Sequence, residues 1–353
     1  MIMKISKICF GSLSDGSQAT LFTIASKRMS FSVTDFGCTI TCVKLFDKKD
    51  SFTDVVLGFS SLSSYATSWG SFGAIIGRYS NKIENAQFSL GQKKYNLENN
   101  CGGHCLHGGI PRWENILWNS KIVQNEKSSG ICFSKRFPDG FQGFPGNLDV
   151  EIEYLLCEDN SLEFNYRAVC DEKTPISITN HSYFNLKGSG SILDHILQLN
   201  CDKFLEQDKN QLPTGAIESV KNSRFDFIQP RRIGECKKIE DEKGYDNCFV
   251  TNAYRMSLGI PQRTVPLVKI ATLTEAESKK SMEVFTNCEG FQLYNAKYVR
   301  YLPGKYGAMY MPFCGICFEP QAFPNSPNIK EFPSAILEPG QEYFSKTVFK
   351  FKF

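Results

Sequence analysis

The chain has 353 residues, with 40 Lys plus Arg against 37 Asp plus Glu and a net charge of +3. That balance excludes a basic nucleic-acid-binding stripe, and 41% hydrophobic with 22% charged residues excludes a disordered chain. No run approaches the roughly 20 apolar residues of a membrane span. The first ten residues, broken by Lys4 and Lys7, lack the apolar stretch of a signal peptide, so a cytoplasmic protein without membrane or nucleic-acid partners is expected.

In chain order, the dominant period is two. Met29, Phe31 and Val33 alternate with Ser30, Ser32 and Thr34. Leu148, Val150, Ile152 and Tyr154 alternate with Asp149, Glu151 and Glu153, and Leu162, Phe164 and Tyr166 with Glu163, Asn165 and Arg167. Phe349, Phe351 and Phe353 alternate with Lys350 and Lys352. Each run predicts a strand with one buried face. Turn signals separate them, at Pro138-Asp-Gly140, Pro145-Gly-Asn147, Pro213-Thr-Gly215 and Pro339-Gly340. Helical periodicity is confined to short stretches near Ser60–Tyr65 and in the charged Arg231–Lys243 segment, the second reading as a surface loop or helix. Strands throughout, with no βαβ alternation, no repeat and no linker, predict an all-β, large antiparallel β-sandwich over one domain, 1–353.

The groups able to carry chemistry are few. The four histidines are His104, His107, His181 and His195. Arg78, Asn81 and Lys82 stand together after an apolar run, and Arg and Asn side chains bind neighbouring hydroxyls well. If Ile176 to Tyr183 is a strand, Ser177, Thr179, His181 and Tyr183 share a polar face opposite Ile176, Ile178, Asn180 and Ser182. His181 then reads either as a solvated strand residue or as part of a groove. Likewise Cys317, Glu319 and Gln321 share a face opposite Ile316 and Phe318. Glu319 is either an exposed strand carboxylate or a general base tuned by apolar neighbours.

Fourteen cysteines in a chain of this length predict reduced thiols rather than a disulfide framework. Cys101-Gly-Gly-His-Cys105-Leu-His107 and Cys314-Gly-Ile-Cys317 contain ligand-type residues, but zinc sites pair such elements at regular spacing and these lie about 200 residues apart. No metal is expected. Neither a P-loop nor a GxGxxG fingerprint occurs, so no nucleotide cofactor is expected. A GxSxG nucleophile elbow is also absent.

Taken together these segments resemble the aldose 1-epimerase (galactose mutarotase) family from about Phe10 to Phe349. The resemblance rests on Gly73-Ala-Ile-Ile-Gly-Arg78, Asn81-Lys-Ile83, Leu106-His-Gly-Gly109 and Asn180-His-Ser-Tyr-Phe-Asn-Leu186. It continues through Asp246 with Phe249, Phe291-Gln-Leu-Tyr294, Glu319-Pro-Gln321 and Phe323-Pro-Asn-Ser-Pro-Asn328. It implies a galactose mutarotase-like supersandwich with an open sugar cleft. It implies His181 as general acid and Glu319 as general base, and Arg78, Asn81, Lys82, His107, Tyr183, Asp246 and Gln292 as sugar-binding residues. The implied reaction interconverts the anomers of free hexoses such as galactose and glucose, without cofactor, in a monomer or weak homodimer. A hexose-6-phosphate 1-epimerase and a non-catalytic sugar-binding relative are the alternatives. Lys82 replaces the family's usual Arg, Arg112-Trp-Glu-Asn115 replaces a common Gly-Phe-Asp-Lys, and Asn247 stands where His or Pro often follows the Asp. These departures bear on sugar preference. His104 and His195 match no functional position.

Overall fold

The computed structural model describes residues 3–48, 51–235, 244–257 and 262–353. Three antiparallel sheets dominate it. The first is a five-stranded meander of Lys4–Ser12, Gln18–Ala25, Met29–Thr34, Thr39–Phe46 and Phe52–Asp54. The second has nine strands. Asn119–Gln124, Ser128–Phe137, Leu148–Cys157 and Ser161–Cys170 follow one another, and the C-terminal Glu342–Lys352 then inserts beside the last of them. Ser281–Thr286, Val268–Thr274, Ile196–Leu199 and Arg231–Arg232 complete that sheet. The third orders Pro213–Ser219, Lys203–Gln207, Asp246–Val250, Gly290–Tyr294 and Cys317–Gln321.

The period-two runs form the strands they predict. In Leu148–Cys157, Leu148, Val150, Ile152, Tyr154 and Leu156 are buried while Asp149 and Glu151 are exposed. One apolar cluster joins Phe31 and Val43 of the first sheet, Ile152 and Phe349 of the second, and Phe249, Phe291 and Phe318 of the third. Alternation places one set of side chains in this cluster and turns the other set away from it. In the third sheet that other set forms the floor of a cleft.

Helix is sparse. Leu62–Thr67 starts one residue beyond Ser61, whose hydroxyl accepts the Ser64 N–H as an N-cap. The Arg231–Lys243 expectation is corrected over its first five residues, which form the short edge strand Arg231–Arg232 and one 3-10 turn, Ile233–Glu235. Residues 236–243 lie outside the described residues. A short helix, Asn252–Ser257, had no clear sequence signal. Among the described residues no helix is long and apolar enough to cross a membrane.

The 176–183 segment also differs from expectation. Only Thr179–Asn180 makes a regular ladder, with Ile75–Ile76. The whole stretch is buried, including the face read as polar. It runs between two layers: Phe184 bridges to Val56 on one side and to Ile316 on the other. Side chains turned away from the main core therefore meet further protein instead of solvent.

Candidate active site

His181 is held by its backbone before its side chain is considered. Its N–H donates to the Ala74 carbonyl and its own carbonyl accepts the Gly73 N–H, each at 2.9 Å. Gly73 has φ +72°, and a Cβ there would lie 2.1 Å from the Ile40 carbonyl oxygen, so this approach needs glycine. The preceding Asn180 side chain ties the turn together. It donates to the Gly73 carbonyl (2.8 Å) and to Tyr154 Oη (3.2 Å), and accepts from both the N–H and the hydroxyl of Ser182.

Glu319 comes from the third sheet, whose register sets its neighbours. Gln292 lies directly opposite Glu319 and Cys248, and Tyr294 opposite Cys317 and Asp246. Gln292 Nε2 donates diagonally to Asp246 Oδ1 at 2.7 Å. Gln292 Oε1 is buried and has no partner among the described residues, an acceptor available to a ligand hydroxyl.

The two segments meet at the floor of a cleft of about 250 Å³. His181 Nε2 lies 3.7 Å from Glu319 Oε1, with the side chains 8% and 2% exposed. Asn81, Lys82, Leu106, His107, Asp246, Gln292 and Tyr294 line the walls. His107 Nδ1 accepts the Asn81 N–H at 3.2 Å, which puts the ring hydrogen on Nε2 and makes that nitrogen a donor. Its ring meets the His181 ring edge to face, 5.7 Å between centroids.

Burial acts on these groups in opposite directions, because it penalises whichever form is charged. It lowers His181 to about 4, an effect its own backbone opposes and the positive charge of Arg112 reinforces. Burial, then the nearby Asp246 carboxylate, raises Glu319 well above the usual carboxylate range. His107 is held well below its usual value by burial, then by His181, Arg112 and Lys82. Burial thus favours the uncharged form of each group, a carboxylic acid beside a neutral imidazole.

Of the expected site residues, His181, Glu319, Asn81, Lys82, His107, Asp246 and Gln292 come together in the cleft. Arg78 and Tyr183 do not line it. Arg78 is fully buried, and its Nη1 donates to the carbonyls of Pro145 (2.7 Å) and Gly146 (3.3 Å) and to Thr174 Oγ1 (3.0 Å). Tyr183 stands behind His181, ring centroids 4.9 Å apart, with its hydroxyl donating to the Gly70 carbonyl. His104 and His195 are structural: His104 Nδ1 accepts the Asn85 N–H and His195 Nε2 the Leu186 N–H.

Sequence reasoning missed Gln207, Gln211, Tyr294 and Tyr298 in the lining. Gln211 spans the cleft mouth. Its Oε1 accepts from Lys82 Nζ (3.3 Å), and its Nε2 donates to Asp246 Oδ2 (3.3 Å) and Tyr298 Oη (3.1 Å). Tyr294 was legible in principle, two residues from Gln292 on the same face. Gln207 and Gln211 were not, since nothing local marks where a strand end and turn will fold.

Thirteen cysteines among the described residues are free. His181, Cys317 and Glu319 place ligand-type atoms within 4.8 Å of one another. The sulfur, however, makes its 3.5 Å contact with Nδ1 and the carboxylate its 3.7 Å contact with Nε2. That is a poor fit to a metal centre, in which one nitrogen must share the ion with the other ligands.

Fold and site together define a class: a β-sandwich with a buried histidine–carboxylate pair at the floor of a polar cleft. A sequence profile of the aldose 1-epimerase family matches residues 20–350. A galactose mutarotase from Mus musculus is 35% identical over 354 residues, covering 99% of each chain. An aldose 1-epimerase from Haemophilus influenzae is 34% identical over 347 residues, 96% of this chain and 97% of that one. The crystal structure of an aldose epimerase homologue from C. elegans superposes with a TM-score of 0.83 at 27% identity, over 99% of both chains. The chain belongs to the aldose 1-epimerase family, whose members are isomerases.

Proposed function

We propose that this protein interconverts the α and β anomers of free aldohexoses, galactose and glucose among them, by opening and reclosing the pyranose ring. The observation that carries the reading is the 3.7 Å His181–Glu319 pair, buried at the floor of a cleft otherwise lined by hydroxyl-binding groups. In the reactive form the shared proton is on His181. Glu319 takes the hydrogen of the C1 hydroxyl, C1=O forms, the C1–O5 bond breaks, and O5 receives the proton of His181 Nε2. The pair is then carboxylic acid and neutral imidazole, the form burial favours. The aldehyde turns about C1–C2. Reclosure on its other face returns the Glu319 proton to O1 and the O5 hydrogen to His181. Each well-placed proton transfer contributes about 10²–10⁴-fold.

Asn81, Lys82, His107, Asp246 and Gln292 hold the ring hydroxyls while C1 swings. Arg78 and Tyr183 serve indirectly, the first by bracing the 145–146 turn and the second by backing His181. An apolar cluster that draws on residues from Met3 to Phe351 supports one catalytic domain over 1–353. The protein acts as a monomer or weak homodimer in the cytoplasm, without metal, cofactor, nucleic acid or membrane.

Polarimetry of freshly dissolved α-D-galactose and α-D-glucose tests the activity: rotation should relax faster than in buffer alone. A protein that binds both sugars without accelerating them is a sugar-binding relative instead. Among the described residues the cleft carries one cation, Lys82, whose Nζ is already engaged by the Asn210 carbonyl (2.7 Å), and it carries the Asp246 carboxylate. Glucose-6-phosphate should therefore be a much poorer substrate than glucose. Equal kcat/KM for the two would favour the phosphate-sugar alternative.

A further inference from the structure

A histidine that exchanges protons through Nε2 needs its other nitrogen fixed, because the ring can otherwise rotate and switch tautomer. The partner at Nδ1 is commonly a carboxylate or a backbone carbonyl. In this protein the side chain at Nδ1 is a thiol: Cys317 Sγ lies 3.5 Å from His181 Nδ1. Both residues are buried. Cys317 and Glu319 are two residues apart on one strand, hence on one face, and they reach opposite nitrogens of the same ring. The strand therefore grips the imidazole at both ends.

We propose that Cys317 is a positioning residue for His181: its sulfur accepts the Nδ1 hydrogen, keeps that tautomer, and so aims Nε2 at the reacting sugar oxygen. This rests on the acid–base reading above. Through the cycle Nδ1 stays protonated and only Nε2 gains and loses a proton. Sulfur suits the task because it is a weak acceptor. It orients the ring without the stabilisation of the imidazolium that a carboxylate would supply, so His181 remains a strong acid. The thiol itself stays protonated, since burial pushes it well above its usual value. The other groups facing His181 do not replace it. Glu319 is at Nε2, the His181 carbonyl already accepts the Gly73 N–H, His107 and Tyr294 meet the ring at 5.7 and 6.1 Å between centroids, Tyr183 packs against it, and Arg112 acts only through its charge.

The test compares Cys317→Ala and Cys317→Ser with wild type on α-D-galactose, with ¹⁵N NMR of the histidine tautomers. Misplacing a reacting group by about 1 Å can cost on the order of 10²-fold, so Cys317→Ala should lose roughly ten- to a hundredfold in kcat with KM changed less than about twofold. Its His181 should populate both tautomers. Cys317→Ser, with a better acceptor, should recover most of kcat, keep the Nδ1–H tautomer, and move the acid limb of the pH profile to higher pH. A kcat within about twofold of wild type and an unchanged tautomer in Cys317→Ala would overturn the proposal. So would equal losses in both variants with the tautomer and the acid limb unmoved, which is packing alone. Should Cys317→Ala fail to fold, the acid limb and tautomer of Cys317→Ser decide. His181→Asn in the same assay separates the two readings: if it retains full activity the acid assignment fails, whereas an inactive His181→Asn beside indifferent Cys317 variants removes only the positioning role.

Discussion

Glu319 is a carboxyl group that the fold makes uncomfortable as an anion, and that discomfort is useful. In the proposed reaction, a base buried beside Asp246 would return its proton readily when the aldehyde recloses. Glu319→Gln keeps the shape and removes the base; His181→Asn keeps one hydrogen-bonding group and removes the acid. Each should reduce kcat by about 10²–10⁴-fold, with a smaller effect on sugar affinity measured by calorimetry. The double variant should lose much less than the product of the singles, because the two residues pass one proton between them. Unchanged rates in Glu319→Gln would remove it from the reaction. The same substitution should raise Tm at neutral pH. A carboxyl whose folded pKa is raised contributes stability below its unfolded value and loses it as pH rises through the folded value, so at neutral pH Glu319 is a cost that glutamine does not carry. Because the sulfur and the carboxylate reach different ring nitrogens, prolonged treatment with a chelator should leave the rate unchanged. Stoichiometric zinc whose removal abolishes activity would reassign the trio of His181, Cys317 and Glu319.

At the scale of elements, the site depends on two segments meeting: the irregular stretch after Thr179–Asn180 and the strand Cys317–Gln321. Asn180 makes the first of these reliable by binding Gly73, Tyr154 and Ser182 at once. Leaving such buried partners unpaired costs about 1–3 kcal/mol. Asn180→Ala should therefore lower stability by that order in denaturant unfolding and reduce kcat as well, although Asn180 does not line the cleft. An Asn180→Ala protein with wild-type kcat would show that His181 is placed by the surrounding strands alone. In the third sheet the pleat separates the tasks: Phe249, Phe291 and Phe318 fill the core while Asp246, Gln292 and Glu319 face the cleft. A one-residue slip in any of these strands would exchange the two sets.

For the whole molecule, pH couples the site to stability. His181 and His195 are both buried and lowered to about 4 from an ordinary value of 6.5, in each case chiefly by burial. A group depressed in this way contributes stability above its unfolded value and loses it as pH falls through the folded value, because the unfolded chain takes up the proton first. Tm should therefore fall as pH is lowered from about 6.5 to about 4. His195→Gln, which removes one such uptake away from the cleft, should flatten the decline. A Tm constant across that window would mean that neither imidazole is as enclosed as the structure shows.

Much of this architecture is local information. Alternation of apolar and polar side chains is a property of consecutive residues, so the strands at 29–34, 148–157, 162–166 and 349–352, and the inner and outer faces of each, could be read from the chain directly. The juxtaposition of Glu319 with an apolar partner face was legible for the same reason. Spacing alone left His181 between a solvated strand and a groove, and the family resemblance, not periodicity, singled it out. Three outcomes had no local signal. Arg78, beside Asn81 and Lys82 in sequence, turns to the 145–146 carbonyls instead of the cleft. Gln211 reaches across from a turn to join Lys82 and Asp246. Cys317 settles on the far nitrogen of His181. Each depends on antiparallel pairing between segments tens to hundreds of residues apart. Periodicity tells a strand which side chains share a face, but only the pairing of sheets determines whether that face meets water, the core or a sugar.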